Sequence, residues 1–427
     1  MSEFNPIREI PKPHDYGPND TLVVFGELFN RGYANGVVDE AKKAGMNVIY
    51  STVGRRDADQ NLRALNSEEL AEKDQPLINI PLEAGFDLEK GDDEVSPVEQ
   101  LKAYGLRDWE DAKLNWASIE QAREKGRVRF RNSVTEWVNE LKPQLKEGGK
   151  VVFLHTMAGG FPRAKVVMPI ANKVFKGIGD RYLSSKKFWD CEIGRLCDMS
   201  FNEVTAETFA VLIELTQDIP NSRYLAFGYH GNEVMTGDEF KWYSYSPYLQ
   251  GWAKLLLEER AAEATKKGAK ACVYNVPEIL TNSSSIFLGI EVVIYPLLRA
   301  LIKLDPDHPL TVRLKTECET KLNDDATFDD IDRISQEFLN NPEVQAWPKY
   351  EGWPQHNGPE QMRHMREASE AIINLHKSKK DLMTGALSEL VFRSCGIVML
   401  RDSVAPGSYA SWLGHDLVAK TGFAELS

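Results

Sequence analysis

Near the start of this 427-residue chain a strand, a glycine-bearing turn, a helix and a second strand follow one another. All four fit within about 35 residues, and that βαβ order restricts the fold more than anything after it. TLVVFG reads as a short buried strand ending on Gly26. ELFNRGYANGVVDEAKKAG passes from a loop into a helix closed by Gly45, and MNVIYSTVGRRD is a second strand ending at Gly54-Arg55-Arg56. The glycines run Gly26-x5-Gly32-x3-Gly36, wider than GxGxxG. The physical demands of dinucleotide binding are still met. Gly26 permits a tight turn, Gly32 lets backbone approach a pyrophosphate, and free N–H groups at the helix start face that anion. An ordinary strand–turn–helix connection would use the same residues, so the glycines alone leave both readings open. A position just past the second strand meets the adenosine ribose, where an acid selects NAD and arginine suits a 2′-phosphate. Arg55 and Arg56 there favour NADPH, with NADH compatible; the alternative for both is solvent-facing charge.

PLINIPLEAG is a candidate third strand, and residues 87–123 read as an acidic, irregular insertion with helical pieces. RFRNSVTEWVNELKPQL is an amphipathic helix by its three- and four-residue apolar spacing. It leads into GGKVVFLHTMAGG, a buried strand whose small-residue turn falls on the same sheet edge as Gly26. Residues 162–187 carry seven cations against one acid, which is either a solvated face or a receiving surface for an anionic carrier. SFNEVTAETFAVLIELTQDI is predicted as one long helix, with Ser200 or Asn202 as its cap.

The stretch Arg223–Lys254 then joins an apolar run, Tyr224–Phe227, to the glycine-flanked Tyr229, the aromatic cluster Trp242-Tyr243-Ser244-Tyr245, and a helix carrying Lys254. A phenol and an ammonium group leading into one helix can form a proton-donating pair, because the cation makes the phenolate less costly. By itself an aromatic cluster is more often packing. AKACVYNVPEILTNSSS is a further strand broken at Pro277, and SIFLGIEVVIYPLLRALIK an apolar helix. Beyond Asp305-Pro-Asp-His-Pro309 the chain turns polar and helical. The predicted organisation is an irregular leader (1–20), a catalytic unit (21–308) and a mostly helical C-terminal extension (309–427). The fold class is α/β, a Rossmann-like doubly wound parallel sheet.

With 42% hydrophobic and 27% charged residues, the chain has the makings of a soluble globular protein with a large core. A net charge of −13 argues against nucleic acid or an anionic membrane as the main partner. The N-terminal segment has no apolar signal core, and the run Ser285–Leu298 is interrupted by Glu291 and too short to span a bilayer. Five cysteines without CxxC spacing suggest reduced thiols, no metal site and a cytoplasmic location.

With the strands placed, residues 20–300 resemble the short-chain dehydrogenase/reductase superfamily, and within it the enoyl-thioester reductases. Gly26-x5-Gly32-Tyr33-Ala34-x-Gly36 is similar to the widely spaced glycine loop of bacterial enoyl-acyl-carrier-protein reductases, where a serine often stands at Gly32. Leu154-His155-Thr156-Met157-Ala158 is similar to the end of their fourth strand, and Gly228-Tyr229-His230-Gly231-Asn232-Glu233 to the Tyr-x-Gly-x-Glu segment after their fifth. Tyr245-x8-Lys254, with Gly251 before the lysine, has the wide spacing of the FabV type. Pro277 to Thr281, continuing to Ile286, looks like the segment leading to the substrate helix of that group. The chain is most like the FabV- and FabMG-type enzymes. Two departures stand out: MTGDEFKWYS is inserted between Tyr229 and Tyr245, which leaves Tyr243 and Tyr248 as rival phenols, and residues beyond about 309 have no counterpart.

The resemblance implies NADPH- or NADH-dependent reduction of the C=C bond of a trans-2-enoyl thioester on acyl-carrier protein or coenzyme A, in fatty acid synthesis. It implies Tyr245 as donor to the thioester oxygen, Tyr229 as second donor, and Lys254 on the nicotinamide ribose. The cofactor would meet Gly26, Phe29, Asn30, Arg31, Gly32, Tyr33, Arg55, Arg56, Ala158, Gly159, Lys254, Pro277 and Thr281. Substrate would meet Tyr229, Tyr248 and Ile286, with 286–298 as an apolar wall or simply a core or oligomer helix. A homo-oligomer is compatible. Ketone reductases of the superfamily usually carry a serine where Tyr229 stands and a Tyr-x3-Lys pair, which favours C=C over C=O reduction. An NADP-dependent carbonyl or hydroxysteroid reductase is the enzymatic alternative, and a non-catalytic dinucleotide-binding sensor the alternative of another class.

Overall fold

Seven parallel strands build the sheet of this computed structural model, which describes residues 3–73, 75–176, 184–244, 249–281 and 288–426. They are β1 (Thr21–Phe25), β2 (Asn47–Thr52), β3 (Leu77–Pro81), β4 (Val151–His155), β5 (Ser222–Phe227), β6 (Lys270–Asn275) and β7 (Ala410–Trp412). Their spatial order is β7-β6-β5-β4-β1-β2-β3. The sheet grows outward in both directions from the β1–β4 pair, which is the switch point of a doubly wound fold. β1 and β4 are buried along their whole length, as apolar, β-branched runs must be when helices cover both faces.

The two-residue alternation of a strand sends its side chains to two separate cores. Leu22 and Val24 enter one core with Val37, Val38 and Ala41 of α1 (Tyr33–Lys43). Val23 and Phe25 enter the other, with Phe130, Val134 and Trp137 of α2 (Trp116–Leu141), Phe209 and Leu212 of α3 (Thr208–Thr216), and Leu257 of α4 (Gly251–Lys266). On the α1 side the sheet is also covered by α5 (Ile290–Leu304), α6 (Pro359–Leu375), α7 (Thr384–Asp402) and α8 (His415–Glu425). A third apolar cluster joins the acidic insertion to residues 164–201, through Phe86, Trp109, Ile119, Ile170 and Phe188.

Three elements differ from expectation. The long helix has no cap at Ser200 or Asn202; it is already helical from Glu192 and passes through a six-residue π segment, Asn202–Glu207, into α3. The inserted MTGDEFKWYS forms an antiparallel hairpin, Asn232–Thr236 with Glu239–Tyr243, turning at Gly237 where φ is +62°. The extension over 309–427 is indeed mostly helical, but it returns to the sheet: β7 pairs β6 with Ala410 opposite Val273. The leader then covers that edge, since Ile7 N–H donates to Trp412 O at 2.9 Å. α7 is long and apolar enough to cross a bilayer by length and composition, yet it lies packed in the core against α1, α5 and α8.

Candidate active site

At the carboxyl ends of β1, β4, β5 and β6 four loops converge, where a doubly wound sheet places its ligands. Gly26 leaves β1 at φ +114°, and a Cβ there would lie 2.5 Å from Thr156 Oγ1. The N–H of Thr156 donates to Phe25 O at 2.9 Å, so the loops after β1 and β4 are joined. Gly32 is the N-cap of α1, with no side-chain cap and no acidic residue in the first turn. A glycine cap brings no side chain of its own to the amides of that turn, the setting an anion site uses. Phe29, Asn30 and Arg31 are exposed around this turn. Beyond β4, Ala158 is exposed, and Gly159, at φ +106°, faces open space.

Gly36 serves another purpose than facing phosphate. A Cβ on it would lie 1.8 Å from Phe392 O, and one on Gly396 would lie 2.1 Å from Gly36 C. Both glycines allow α1 and α7 to touch backbone to backbone.

Arg55 and Arg56 sit just past β2 as expected, but each already holds a carboxylate. Arg55 clasps Glu27 with two bonds of 3.0 Å, and Lys73 Nζ reaches the same carboxylate at 3.2 Å. Burial alone would raise the Glu27 carboxyl; the bonds from Arg55 and Lys73 outweigh it and hold it below its ordinary value. Arg56 Nε donates to Glu83 at 2.9 Å, and Arg163 to the other oxygen of Glu83 at 2.5 Å. The cations beside the expected ribose site are neutralised within the protein.

Lys254 projects from the first turn of α4 and is 6% exposed. Its Nζ donates to Phe227 O, the last residue of β5, at 2.7 Å. Burial lowers its pKa to about 8. His155, at the end of β4, bonds Thr208 Oγ1 at 2.8 Å; burial, and then the charge of Lys254, push it down to about 3, so the ring is neutral. Tyr33 stacks on Phe227 with centroids 5.6 Å apart and donates to Pro277 O at 2.7 Å. Thr281 follows in the same loop, which Ser388 Oγ anchors by accepting from Leu280 N–H at 2.9 Å. Tyr229 donates from its hydroxyl to Glu278 Oε1 at 3.0 Å.

The loops thus bring Gly26, Gly32, Tyr33, Gly159, Tyr229, Lys254 and Pro277 to one sheet edge. Tyr245, Tyr248 and Ile286 lie outside the described residues. Tyr243 is buried against Phe338, with ring centroids 6.2 Å apart, in the core beneath the hairpin. Residues 290–298 of the expected acyl wall are core. In the basic stretch, Arg163, Lys186 and Lys187 pair with Asp87, Asp190 and Glu110, in keeping with a solvated face. A cavity of about 480 Å³ beside Arg223 and Lys270 lies at the amino ends of β5 and β6, the wrong edge for this chemistry.

Glu27 and Glu278 were not legible as site residues. Each directly follows a singled-out residue, Gly26 or Pro277, but burial and partners depend on distant segments.

A family model described as "Enoyl-acyl carrier protein reductase FabMG" matches residues 3–422. Among solved structures, an apo FabMG, titled a novel type of enoyl-acyl carrier protein reductase, is 40% identical, with 99% of this chain and 98% of that one covered and a TM-score of 0.95. An NADH-bound FabMG is 35% identical over 99% of both chains, with a TM-score of 0.81. No curated protein matches.

Proposed function

Because the chain belongs to the FabMG family of enoyl-acyl carrier protein reductases, we propose how its residues divide the work of that reaction. The enzyme is an oxidoreductase that uses a nicotinamide dinucleotide to reduce the C=C bond of an enoyl thioester on acyl-carrier protein. The carrying observation is the convergence of the uncapped N-terminus of α1, the open Gly159 turn and buried Lys254 at one sheet edge. When bound, the cofactor supplies a hydride to the β-carbon of the thioester.

The residues present fit such a group. The Gly26–Gly32 turn offers backbone donors to a pyrophosphate, with Phe29, Asn30, Arg31 and Tyr33 around it. Ala158, Gly159, Pro277 and Thr281 border the nicotinamide end. Lys254 holds ribose hydroxyls and lends positive charge to the donor phenol. Tyr245 is the donor to the thioester oxygen and Tyr229 the second, with Tyr248 and Ile286 toward the acyl chain. A donor aimed where charge develops is worth roughly 10²–10³-fold in kcat. Tyr245→Phe is therefore expected to lower kcat by that factor in assays of NADH oxidation with crotonyl and longer enoyl thioesters. Near-normal turnover in Tyr245→Phe, with loss in Tyr248→Phe, would reverse the assignment.

For the cofactor, the ion pairs favour NADH over NADPH. A 2′-phosphate would have to compete with Glu27 for Arg55 and Lys73, whereas a 2′-hydroxyl can donate to Glu27. The NADH-bound relative supports this reading. Glu27→Gln frees both cations, and is expected to raise the NADPH/NADH preference at least about tenfold. Fluorescence titration of each dinucleotide, alongside turnover, measures it; an unchanged ratio of dissociation constants would sink the role.

A further inference from the structure

Glu278 is a buried carboxyl that the reaction as described does not use. It is 6% exposed, lies three residues past the end of β6, and accepts a hydrogen bond from the Tyr229 hydroxyl at 3.0 Å. Its loop is held on both sides, by Tyr33 on Pro277 O and by Ser388 on Leu280 N–H. These bonds fix the backbone from which Glu278 projects. Among the described residues, two titratable groups act on the carboxyl: Tyr229 from the β5 loop and Glu291 from the first turn of α5. Glu291 is itself buried and accepts a hydrogen bond from Ser369 Oγ of α6.

From this geometry we infer that Glu278 is the proton reservoir behind Tyr229, setting which way the phenol hydrogen points and resupplying it after each turnover. This rests on the reading of Tyr229 as a donor to the thioester oxygen. An ionised Glu278 has no hydrogen to give, so it draws the phenol hydrogen onto itself and away from substrate. A protonated Glu278 donates to the phenol oxygen and leaves the phenol hydrogen free to point outward. Hydride addition at the β-carbon shifts the C=C electron pair into the bond between the α-carbon and the carbonyl carbon, and the C=O pair onto the thioester oxygen. Tyr229 then passes its proton to that oxygen and takes the carboxyl proton of Glu278, solvent reprotonates the carboxylate, and the enol tautomerises to the saturated thioester. Burial, lowered in part by the Tyr229 bond and reinforced by Glu291, raises the Glu278 carboxyl to about 7, where such a reservoir exchanges protons near neutrality. Glu278 is a positioning and relay residue that acts through Tyr229.

The test is the pH dependence of kcat/KM with NADH and crotonyl thioester, in the full-length protein. Activity should fall as Glu278 ionises, with an alkaline midpoint near 7. In Glu278→Gln that midpoint should move up toward about 8, where Lys254 loses its proton, and Tyr229→Phe should show the same displacement. An unmoved midpoint in either variant, even with slower turnover, overturns the proposal, because a merely structural role would lower the rate without displacing the limb. Infrared spectra give a second readout independent of turnover. The wild-type minus Glu278→Gln difference spectrum at about pH 6 should show a protonated-carboxyl band; a difference spectrum lacking it overturns the proposal. Failure of the wild type to reduce any enoyl thioester would instead sink the functional reading, and the infrared band then decides on Glu278 alone.

Discussion

Replacing Lys254 with methionine is expected to lower kcat/KM by at least roughly a hundredfold while leaving the melting temperature unchanged or raised. The two effects have one cause. Lys254 is an ammonium group 6% exposed, whose nearest partner is a neutral carbonyl, Phe227 O at 2.7 Å. One carbonyl does not replace the hydration shell of a cation, and the structure bears the difference. Methionine keeps the apolar stem and removes the charge, so packing survives and the desolvation cost disappears. The pH dependence has a definite sign. Burial lowers the folded-state pKa from 10.5 to about 8. Between those values the unfolded chain holds a proton that the native state has released, so wild-type stability rises with pH across that window. The methionine variant lacks that rise, and its advantage in melting temperature is greatest below pH 8 and shrinks above it. Thermal melts at several pH values, alongside NADH oxidation, check both halves. A variant that loses activity together with several degrees of stability at neutral pH would mean Lys254 holds the fold rather than the chemistry.

The largest loss of stability is expected at the crossing of α1 and α7. Gly396→Val should cost roughly 3–5 kcal/mol, as overpacking against backbone does at its upper end. A Cβ at Gly396 would lie 2.1 Å from Gly36 C and 2.2 Å from Gly36 O, and these atoms cannot rotate away as a side chain would. Relief requires the two helices to part by ångströms along a contact buried in the main core. That cost is a large fraction of the 5–15 kcal/mol by which a typical domain is stable. Gly407→Ala, in open space on an exposed turn, is the control and is expected to fall within about 0.5 kcal/mol of wild type. Circular dichroism melts measure the difference. The milder Gly396→Ala adds a functional readout, because α1 begins at the Gly32 turn: NADH affinity should fall with stability if α1 is displaced, and stay level if α7 alone yields.

Local patterns carried much of this molecule. TLVVF and VVFLH could only be strands covered on both faces, and they are β1 and β4. The Gly26 turn and the arginines past β2 were visible because chirality and parallel-sheet geometry fix what must follow a strand of this kind. Lys254 was reachable through its spacing from an aromatic cluster and through the enoyl-reductase resemblance. The hairpin was missed because Met235–Lys241 has no strict alternation, and its order comes from burial against α5 and α8. The pairing of β7 could not be read, since three residues placed 135 positions after β6 carry no register of their own.

What the sequence determined by itself is the strand–helix order and the glycine turns at the carboxyl edge, because both follow from periodicity and from the few residues able to make a tight turn. The tertiary structure decided the charge state of that edge. Arg55 is a free cation or half of an ion pair according to where Glu27 stands, and Glu278 is an acid or a base according to how deeply Tyr229 and Glu291 are buried with it. Those are properties of distance and dielectric between segments far apart in the chain, and no local pattern encodes them.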